Sequence, residues 1–533
     1  MKKAAWFSFM MVFLAVPMFI TSCGSSSSSS PAATATTAIS GSIFAAPVSG
    51  AAVVVKDASG NTIAGPVNTA SDGTYTINIP TTTLVSDFRI ETTGGTYDDE
   101  ATGVITTAKT LAAYVSGGTL TTGLVNIDPS TTLICDLVTK SGKTLNVAQT
   151  IFNSAFGYTP DISVASKNTP STGGSIAERL AALRAGAFSQ LTEDLYSDPA
   201  KQFDLLDAIS ADLGDDGNLN GSMGSVNGTN IPEDIQNRFE HALVSWLSDT
   251  VHNVTGLTPD QIGSLPFGQV ALTNTYRVQY LPGMMAATLG KTTFKIKITN
   301  RSDGSAASGL TVSLMPMMHM ASMNHATPVD IVAEEGSTGI YDCTAYYLMA
   351  SGPGMGYWEL KVVIGGMGMG SSETATFYPA VSMGMGTDTV RTTLYGPDDI
   401  VTSMSGTQTN KYYLFRDGAV SAATPTFNLF IAHSESMMMN FKAVSVGAVL
   451  SNPTGTVTSM TVQASTDSSF SSSVGGADKG NGHWSLSGLS GLVSGQTATI
   501  YVKLNVNNQD KTTNGNAASG ANAYATFLVT SGM

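Results

Sequence analysis

The sequence predicts a mainly β protein in which several β-sandwich domains flank one helical domain. Charged residues make up only 12% of the 533 residues, whereas 55 glycines provide for many turns. Short apolar runs alternate with turn signals before residue 104 and after residue 270, as expected for strands. Between these regions apolar residues recur every three or four positions, which predicts amphipathic helices. The length of the whole chain accommodates three or four domains of about 150 residues.

The N-terminus has the pattern of an export signal. Lys2 and Lys3 precede an apolar run over 4–20, which suits a signal-peptide core and is short for a membrane span of about 20 residues. The run ends in Ile20-Thr21-Ser22-Cys23, which resembles the lipobox of bacterial lipoproteins. This resemblance implies a signal peptide over 1–22 and lipidation of Cys23. The alternatives are an ordinary cleaved signal with an incidental cysteine, and an uncleaved helix.

The predicted lipid would place the chain in the cell envelope. It would attach the chain to a membrane of the cell envelope through a serine-rich tether over 23–37. Gly24, rather than Asp, follows Cys23, which in the lipoprotein sorting pattern favours the outer membrane. The formal charge of −14 argues against a nucleic-acid partner and against electrostatic docking on anionic lipid.

Residues 38–103 form the first predicted sandwich. Strands are predicted over 51–55, 74–79 and 88–92, separated by Gly-containing turns. The segments Ile39-Ser-Gly-Ser, Val48-Ser-Gly-Ala-Ala-Val-Val-Val and Thr69-Ala-Ser-Asp-Gly-Thr-Tyr-Thr-Ile resemble carboxypeptidase regulatory-like domains, which are transthyretin-like sandwiches. The resemblance implies a spacer or a binding scaffold without chemistry of its own.

Residues 104–260 form the predicted helical domain. One helix is predicted from a single apolar stripe, which consists of Ile176, Leu180, Leu183, Ala187, Leu191 and Leu195. Pro232 is predicted to open another helix, because its missing N–H costs nothing in the first turn. The predicted buried face of that helix carries Ile235, Phe239, Leu243, Trp246 and Leu247.

Two further sandwiches are predicted over 270–380 and 388–533. The predicted strands are 292–299, 310–314, 356–364 and 373–378, followed by 426–432, 460–465, 483–489, 497–506 and 523–529. Segment 293–298 is similar to 426–431, and 356–360 is similar to 482–486. These similarities predict that the last sandwich is a diverged repeat of the one before it.

Methionine is concentrated in one part of the chain. Seventeen of the 24 methionines lie between residues 284 and 439, most densely over 315–325. Thioether sulfur is soft and prefers Cu(I), and imidazole binds both copper oxidation states. The predicted copper ligands are Met315, Met317, His319 and His325. The alternative is that these methionines fill a core or form a protein-binding surface.

Segment 276–378 resembles the YtkA-like family. The resemblance rests on Leu314-Met315-Pro316-Met317, on His319 and His325, and on Gly339-Ile-Tyr341 and Gly356-Tyr-Trp358-Glu-Leu360. It implies a β-sandwich similar to periplasmic domains that handle copper, with a metal role for the same four residues. The additional methionines and Cys343 depart from the family pattern.

A second cation signal lies at the end of a predicted helix, in the spacing of an EF-hand calcium loop. The candidate calcium ligands are Asp212, Asp216, Asn218 and Asn220. Gly217 stands where the loop turns sharply, but Gly214 and Met223 replace two expected oxygen ligands. The alternative is therefore a polar turn between helices.

The remaining sequence predicts no enzyme. The six histidines are scattered, and no Ser-His-Asp, paired-carboxylate or zinc-ligand spacing emerges. We therefore expect an envelope lipoprotein whose Met/His-rich sandwich binds copper for sequestration or transfer. The alternative is a structural or adhesive surface lipoprotein whose sandwiches are spacers or bind a protein partner.

Cys23→Ser removes the thiol that would form the thioether to lipid. We expect this variant to lose incorporation of labelled palmitate and to accumulate with its leader uncleaved, whereas Cys135→Ser keeps both properties. Labelling of the Cys23→Ser variant at the level of the parent chain would contradict the lipobox.

Overall fold

The computed structural model describes residues 35–263, 265–365, 372–403, 406–435, 438–451 and 454–532. The predicted signal peptide, Cys23 and residues 24–34 of the tether lie outside these residues. The described chain forms a first sandwich (36–115), a helical domain (129–248), a Met-rich sandwich (270–381) and a last sandwich (391–530). The predicted mainly β class with an interposed helical domain is confirmed.

The first sandwich packs a two-stranded sheet and a four-stranded sheet around one core. Its strands are β1 (Thr36–Ser42), β2 (Ala52–Asp57), β3 (Thr62–Asn68), β4 (Thr74–Pro80), β5 (Phe88–Thr93), β6 (Thr96–Asp98), β7 (Ile105–Thr107) and β8 (Leu111–Val115). The sheets are β1-β4 and β3-β2-β5-β8, with β6-β7 beside them. Strand β8 lies beyond residue 103, where we expected the sandwich to end. It pairs with β5 because its apolar run completes the larger sheet.

The helical domain shares one continuous core with the first sandwich. Its helices are α1 (Pro129–Thr139), α2 (Leu145–Phe156), α3 (Ile176–Tyr196), α4 (Gln202–Asp216) and α5 (Ile235–Ser248), with a hairpin of β9 (Ser225–Val226) and β10 (Thr229–Asn230) before α5. Ser175 and Glu178 form a capping box at the start of α3. Helix α5 begins at Ile235 and not at Pro232, which instead accepts a turn hydrogen bond from the Ile235 N–H.

The Met-rich sandwich consists of a five-stranded and a four-stranded antiparallel sheet. Its strands are β11 (Val270–Leu272), β12 (Tyr276–Pro282), β13 (Gly290–Asn300), β14 (Val312–His319), β15 (Asn324–Ala326), β16 (Ala333–Glu334), β17 (Ile340–Tyr347), β18 (Tyr357–Ile364) and β19 (Glu373–Phe377). The sheet orders are β11-β12-β13-β17-β16 and β15-β14-β18-β19. Buried residues of both sheets, including Phe294, Ile296 and Trp358, form its core.

The last sandwich has the same two-sheet construction with more strands. These are β20 (Arg391–Ser403), β21 (Gly406–Arg416), β22 (Thr426–Glu435), β23 (Asn440–Ala443), β24 (Val449–Ser451), β25 (Thr454–Thr456), β26 (Met460–Ser465), β27 (Val474–Gly475), β28 (Ala477–Gly480), β29 (His483–Ser487), β30 (Thr497–Val506), β31 (Gln509–Asp510) and β32 (Ala525–Thr530). One sheet follows β20-β21-β22-β29-β28, with β23 on β22. The other follows β27-β26-β30-β31, with β32 on β30.

The predicted repeat has no counterpart in the strand order. The similar segments fall on β13 and β18 in the Met-rich sandwich and on β22 and β29 in the last one. Strands β13 and β18 belong to different sheets, whereas β22 pairs directly with β29. An alternating pattern around a Trp suits any half-buried strand, so short similarities of this kind do not specify sheet membership.

The two C-terminal sandwiches meet through an aromatic cluster and a charge network. Tyr346 of β17 stacks on Phe430 of β22 with ring centroids 4.0 Å apart. Beside this stack, His483 Nδ1 lies 2.8 Å from Asp417 Oδ2, and His483 Nε2 lies 2.9 Å from Asp330 Oδ2. Lys291 Nζ lies 2.6 Å from Asp417 Oδ1. Asp330 and Lys291 belong to the Met-rich sandwich, so the ion pairs cross the junction.

The network fixes the charges of its members. Hydrogen bonds to Asp330 and Asp417 raise the pKa of His483 to about 9. Burial opposes ionisation of Asp417, but hydrogen bonds from His483 and Lys291 lower its pKa to about 2. His483 is therefore an imidazolium at neutral pH, held between two carboxylates.

His483→Ala is expected to weaken the junction in a pH-dependent way. The folded-state pKa of His483 is raised, so its contribution to stability is complete below about pH 6.5 and is lost as the pH rises through about 9. The urea midpoint of the variant should fall below that of the parent at about pH 6 and approach it above about pH 9. His252→Ala, which removes a contact of 2.8 Å between His252 Nδ1 and Asp249 Oδ2 just after α5, is the control. If the urea midpoint of the variant fell below that of the parent by the same amount at both pH values, the raised pKa of His483 would be contradicted.

Candidate metal centre

Strand β14 presents three of the predicted copper ligands on one face. Met315 is exposed, and Met317 and His319 are half-buried, whereas the alternating residues Leu314, Pro316 and Met318 are buried. This follows from the two-residue period of a strand. The structure thus brings Met315, Met317 and His319 together on the outer face of the four-stranded sheet.

His319 is positioned on that outer face by its neighbours on β18. Its Nε2 lies 3.0 Å from Glu359 Oε2, and its ring stacks on Tyr357 with centroids 4.9 Å apart. Burial opposes ionisation of Glu359, but the hydrogen bond from His319 and the charge of Lys361 lower the pKa of this carboxyl. Among the described residues no hydrogen-bond partner faces His319 Nδ1, which leaves that nitrogen for a ligand.

His325 lies on the opposite face of the same sheet. The β14–β15 hairpin pairs His319 with Asn324 and Met318 with His325. Directly opposed residues share a face, so His325 points to the core side with Met318 and is only 4% exposed. The four predicted ligands are therefore divided between two faces and do not converge on one point. The spacing of histidines along the chain could not reveal this, because it does not specify where the hairpin turns.

The core-facing histidine has a methionine partner that the sequence did not single out. His325 Nε2 lies 3.2 Å from the Sδ atom of Met349, and Nδ1 lies 2.8 Å from the Ala326 carbonyl oxygen. Burial lowers the pKa of His325, against the effect of the Ala326 hydrogen bond, so the imidazole is neutral at pH 7. Met349 comes from the loop after β17, and only the folded chain brings it to His325.

The methionines of this region are largely at the surface. Of the 17 between residues 284 and 439, four lie outside the described residues (Met367, Met369, Met404 and Met437). Of the other 13, only Met318 is buried. Most of the described methionines therefore do not fill the core, which removes one of the two metal-free interpretations for them.

The free thiols are poor alternative donors for a metal ion. Cys135 on α1 and Cys343 on β17 are both buried and unpaired. Burial raises the pKa of each thiol to about 12, so the thiolate is rare at neutral pH.

The candidate calcium loop is closed by its own N–H groups. Asp212 is fully buried in the last turns of α4, and its carboxylate accepts from the N–H groups of Asn220, Gly221 and Met223 at 2.9–3.0 Å. Asp216 accepts from the Asn218 N–H at 2.8 Å and from the Asn220 side-chain amide at 3.2 Å. This is the geometry of a polar turn that ends α4, in which the proposed ligand oxygens of both carboxylates already have donors.

The comparisons assign no family to this chain. No protein-family model matches it, and no curated protein matches its sequence.

Within the described ranges, no group of three or more His, Cys, Asp and Glu side chains is arranged to hold a metal ion. A centre built from thioethers and imidazole does not belong to that class. None of the helices described is long and apolar enough to cross a membrane.

Asp212→Ala is expected to destabilise the helical domain whether or not calcium is present. It leaves three backbone N–H groups without an acceptor, at about 1–3 kcal/mol for each that stays buried and unpaired. The α-helical transition in urea should move to a lower concentration by the same amount in calcium and in EGTA. Asp216→Ala, on the exposed side of the loop, should have a smaller effect. A calcium-dependent rise in the parent's melting temperature that Asp212→Ala abolishes would instead indicate a calcium site.

Proposed function

We propose that this chain is a cell-envelope lipoprotein, anchored through Cys23, whose Met-rich sandwich binds Cu(I). It would sequester the ion or hand it on, without turnover. The observation that carries the proposal is the exposure of the methionines. A methionine in water forfeits the stabilisation of roughly 25 cal/mol per Å² that burial of its apolar surface would bring. Their exposure therefore favours a role for the sulfur atom.

The donor set on the outer face suits a soft cation. Met315, Met317 and His319 supply two thioethers and one imidazole, which favour Cu(I) over harder divalent ions. Neighbouring members of this row are about 6.6–6.8 Å apart along the strand, a distance that flexible methionine side chains can bridge. Thioethers also persist in an oxidising compartment, where free thiols tend to form disulfides.

A second surface supports the alternative of a protein partner. Met284 and Met285 form one exposed pair, and Met383 and Met385 form another. A β-bridge between Thr288 and Ser382 brings the two loops side by side. These four methionines have no histidine among them, and flexible methionine surfaces adapt readily to protein ligands. Sandwiches that serve as spacers for such a surface would give an adhesive or structural lipoprotein.

We expect the full chain to bind Cu(I) stoichiometrically in anaerobic competition with a chromophoric chelator. The background carries Cys23→Ser, Cys135→Ala and Cys343→Ala, so that no thiol contributes. Met315→Leu, Met317→Leu and His319→Gln together should reduce the number of ions bound. The matched control changes Met284, Met285, Met383 and Met385 to Leu and should leave that number unchanged. Binding no stronger than that of a methionine-poor protein would exclude the copper function and leave the protein-binding alternative.

A further inference from the structure

The core face of the same sheet carries a second set of soft donors. We infer that His325 Nε2 and the thioethers of Met349 and Met318 form an enclosed site for one monovalent soft cation, Cu(I) or its redox-inert analogue Ag(I). This inference rests on the proposed function and deepens it, because it separates an enclosed site from the exposed row on β14. It also replaces the predicted four-residue centre by two centres on opposite faces.

The orientation of the His325 ring is that of a metal ligand. A carbonyl oxygen only accepts, so the 2.8 Å contact with Ala326 places the proton on Nδ1. Metal-binding histidines commonly donate their other ring N–H to a backbone carbonyl, which fixes the tautomer and directs the free lone pair to the ion. In the neutral ring, that lone pair belongs to Nε2, which faces Met349.

The separation of the two facing atoms is close to that of two ligands of one ion. His325 Nε2 and Met349 Sδ are 3.2 Å apart, and neither carries a hydrogen in this tautomer. Nitrogen and sulfur donors at about 2.0 and 2.3 Å from one ion lie roughly 3.5 Å apart at a tetrahedral angle and roughly 3.7 Å apart at a trigonal one, so a shift of a few tenths of an ångström in Met349 admits the ion. Two lone pairs directed at each other repel, and a cation that binds both replaces this repulsion by attraction.

Met349 is held in place by the indole of Trp358. The Trp358 Nε1–H donates to the Met349 carbonyl oxygen at 3.0 Å. The same indole lies edge-to-face with His325, with ring centroids 5.4 Å apart. Trp358 therefore fixes one ligand, contacts another, and adds an aromatic ring of the kind that attracts a cation within about 6 Å.

Met318 supplies the third donor from the central strand of this group. It is directly opposite His325 on β15 and directly opposite Trp358 on β18. Directly opposed residues have Cβ atoms about 4.5–5.5 Å apart, which a methionine side chain spans easily. Met318 is also the one buried methionine among the described residues 284–439, as expected for an enclosed ligand.

The charge around the site favours a monovalent ion. The three donors are neutral, and the guanidinium of Arg391 from the last sandwich, whose Nε–H donates to the Leu348 carbonyl at 2.9 Å, adds a positive charge nearby. The cost of burying an ion rises steeply with its charge, so a divalent cation would be disfavoured in this setting. The path from solvent to the three donors is short. Met349 is half-buried, and β15 is an edge strand that follows the exposed Met323.

The test compares the same chemical change, methionine to leucine, on the two faces of the four-stranded sheet. Met318→Leu with Met349→Leu removes two thioethers from the enclosed site, and Met315→Leu with Met317→Leu removes two from the outer face. Leucine conserves the volume of methionine and is well tolerated in cores. Both variants are made in the full chain without thiols, and near-UV circular dichroism checks their packing.

Ag(I) titration is followed by the NMR signals of ¹³C-methyl-labelled methionine, and Cu(I) affinity by chelator competition. We expect the Met318/Met349 variant to lose affinity for the tightest ion by at least about tenfold, whereas the Met315/Met317 variant keeps it. In the parent, the first equivalent of Ag(I) should shift two methyl signals, which are those missing from the Met318/Met349 variant.

The outcomes separate the inference from the proposed function. Tight binding in the parent that survives unchanged in the Met318/Met349 variant would overturn the enclosed site and leave the copper function standing. A first equivalent of Ag(I) that shifts only the Met315 and Met317 signals would do the same. Failure of the parent to bind either ion would overturn the proposed function, and the inference with it.

Discussion

The register of the β14–β15 hairpin is the constraint on which the candidate chemistry depends. Pairing of His319 with Asn324 places His325 opposite Met318 and divides the Met/His cluster between two faces. A slip of β15 by one residue against β14 would turn His325 to the outer face, beside Met317 and His319. The contacts of His325 with Trp358 and Met349 on the core side oppose such a slip, so packing that stabilises the sandwich also determines which donors are enclosed.

The two faces offer different conditions to a cation. On the outer face, His319 is bonded to the Glu359 carboxylate, and Lys361 lies beside the same carboxylate. This face is hydrated and charged, so an ion would exchange readily and be screened by salt. On the core face, the donors are neutral and desolvated, which favours retention of one ion of low charge.

The neighbouring domains brace this sandwich from both sides. Tyr346 stacks on Phe430 of the last sandwich, and Arg391 of that sandwich donates to the carbonyl of Leu348, immediately before Met349. The junction therefore positions the loop that carries Met349. On the helical side, Asn237 donates to the Thr376 carbonyl, and Glu240 accepts from the Gly268 N–H. Helix α5 thus contacts the Met-rich sandwich directly, which gives the helical domain a role in its placement.

The sequence alone determined what depends on local pattern. Alternation and helical periodicity predicted the mainly β class, β26 and β30 to the residue, and a helix where α3 lies, because burial of one face imposes its period on the chain. The sequence predicted a strand only over 310–314, so it was the structure, in which β14 runs to His319, that placed Met315, Met317 and His319 on one face. Only the tertiary structure decided that His325 turns to the core and that Met349 meets it. Hairpin register and contacts between distant strands depend on the packing of the whole domain, and no local spacing encodes them.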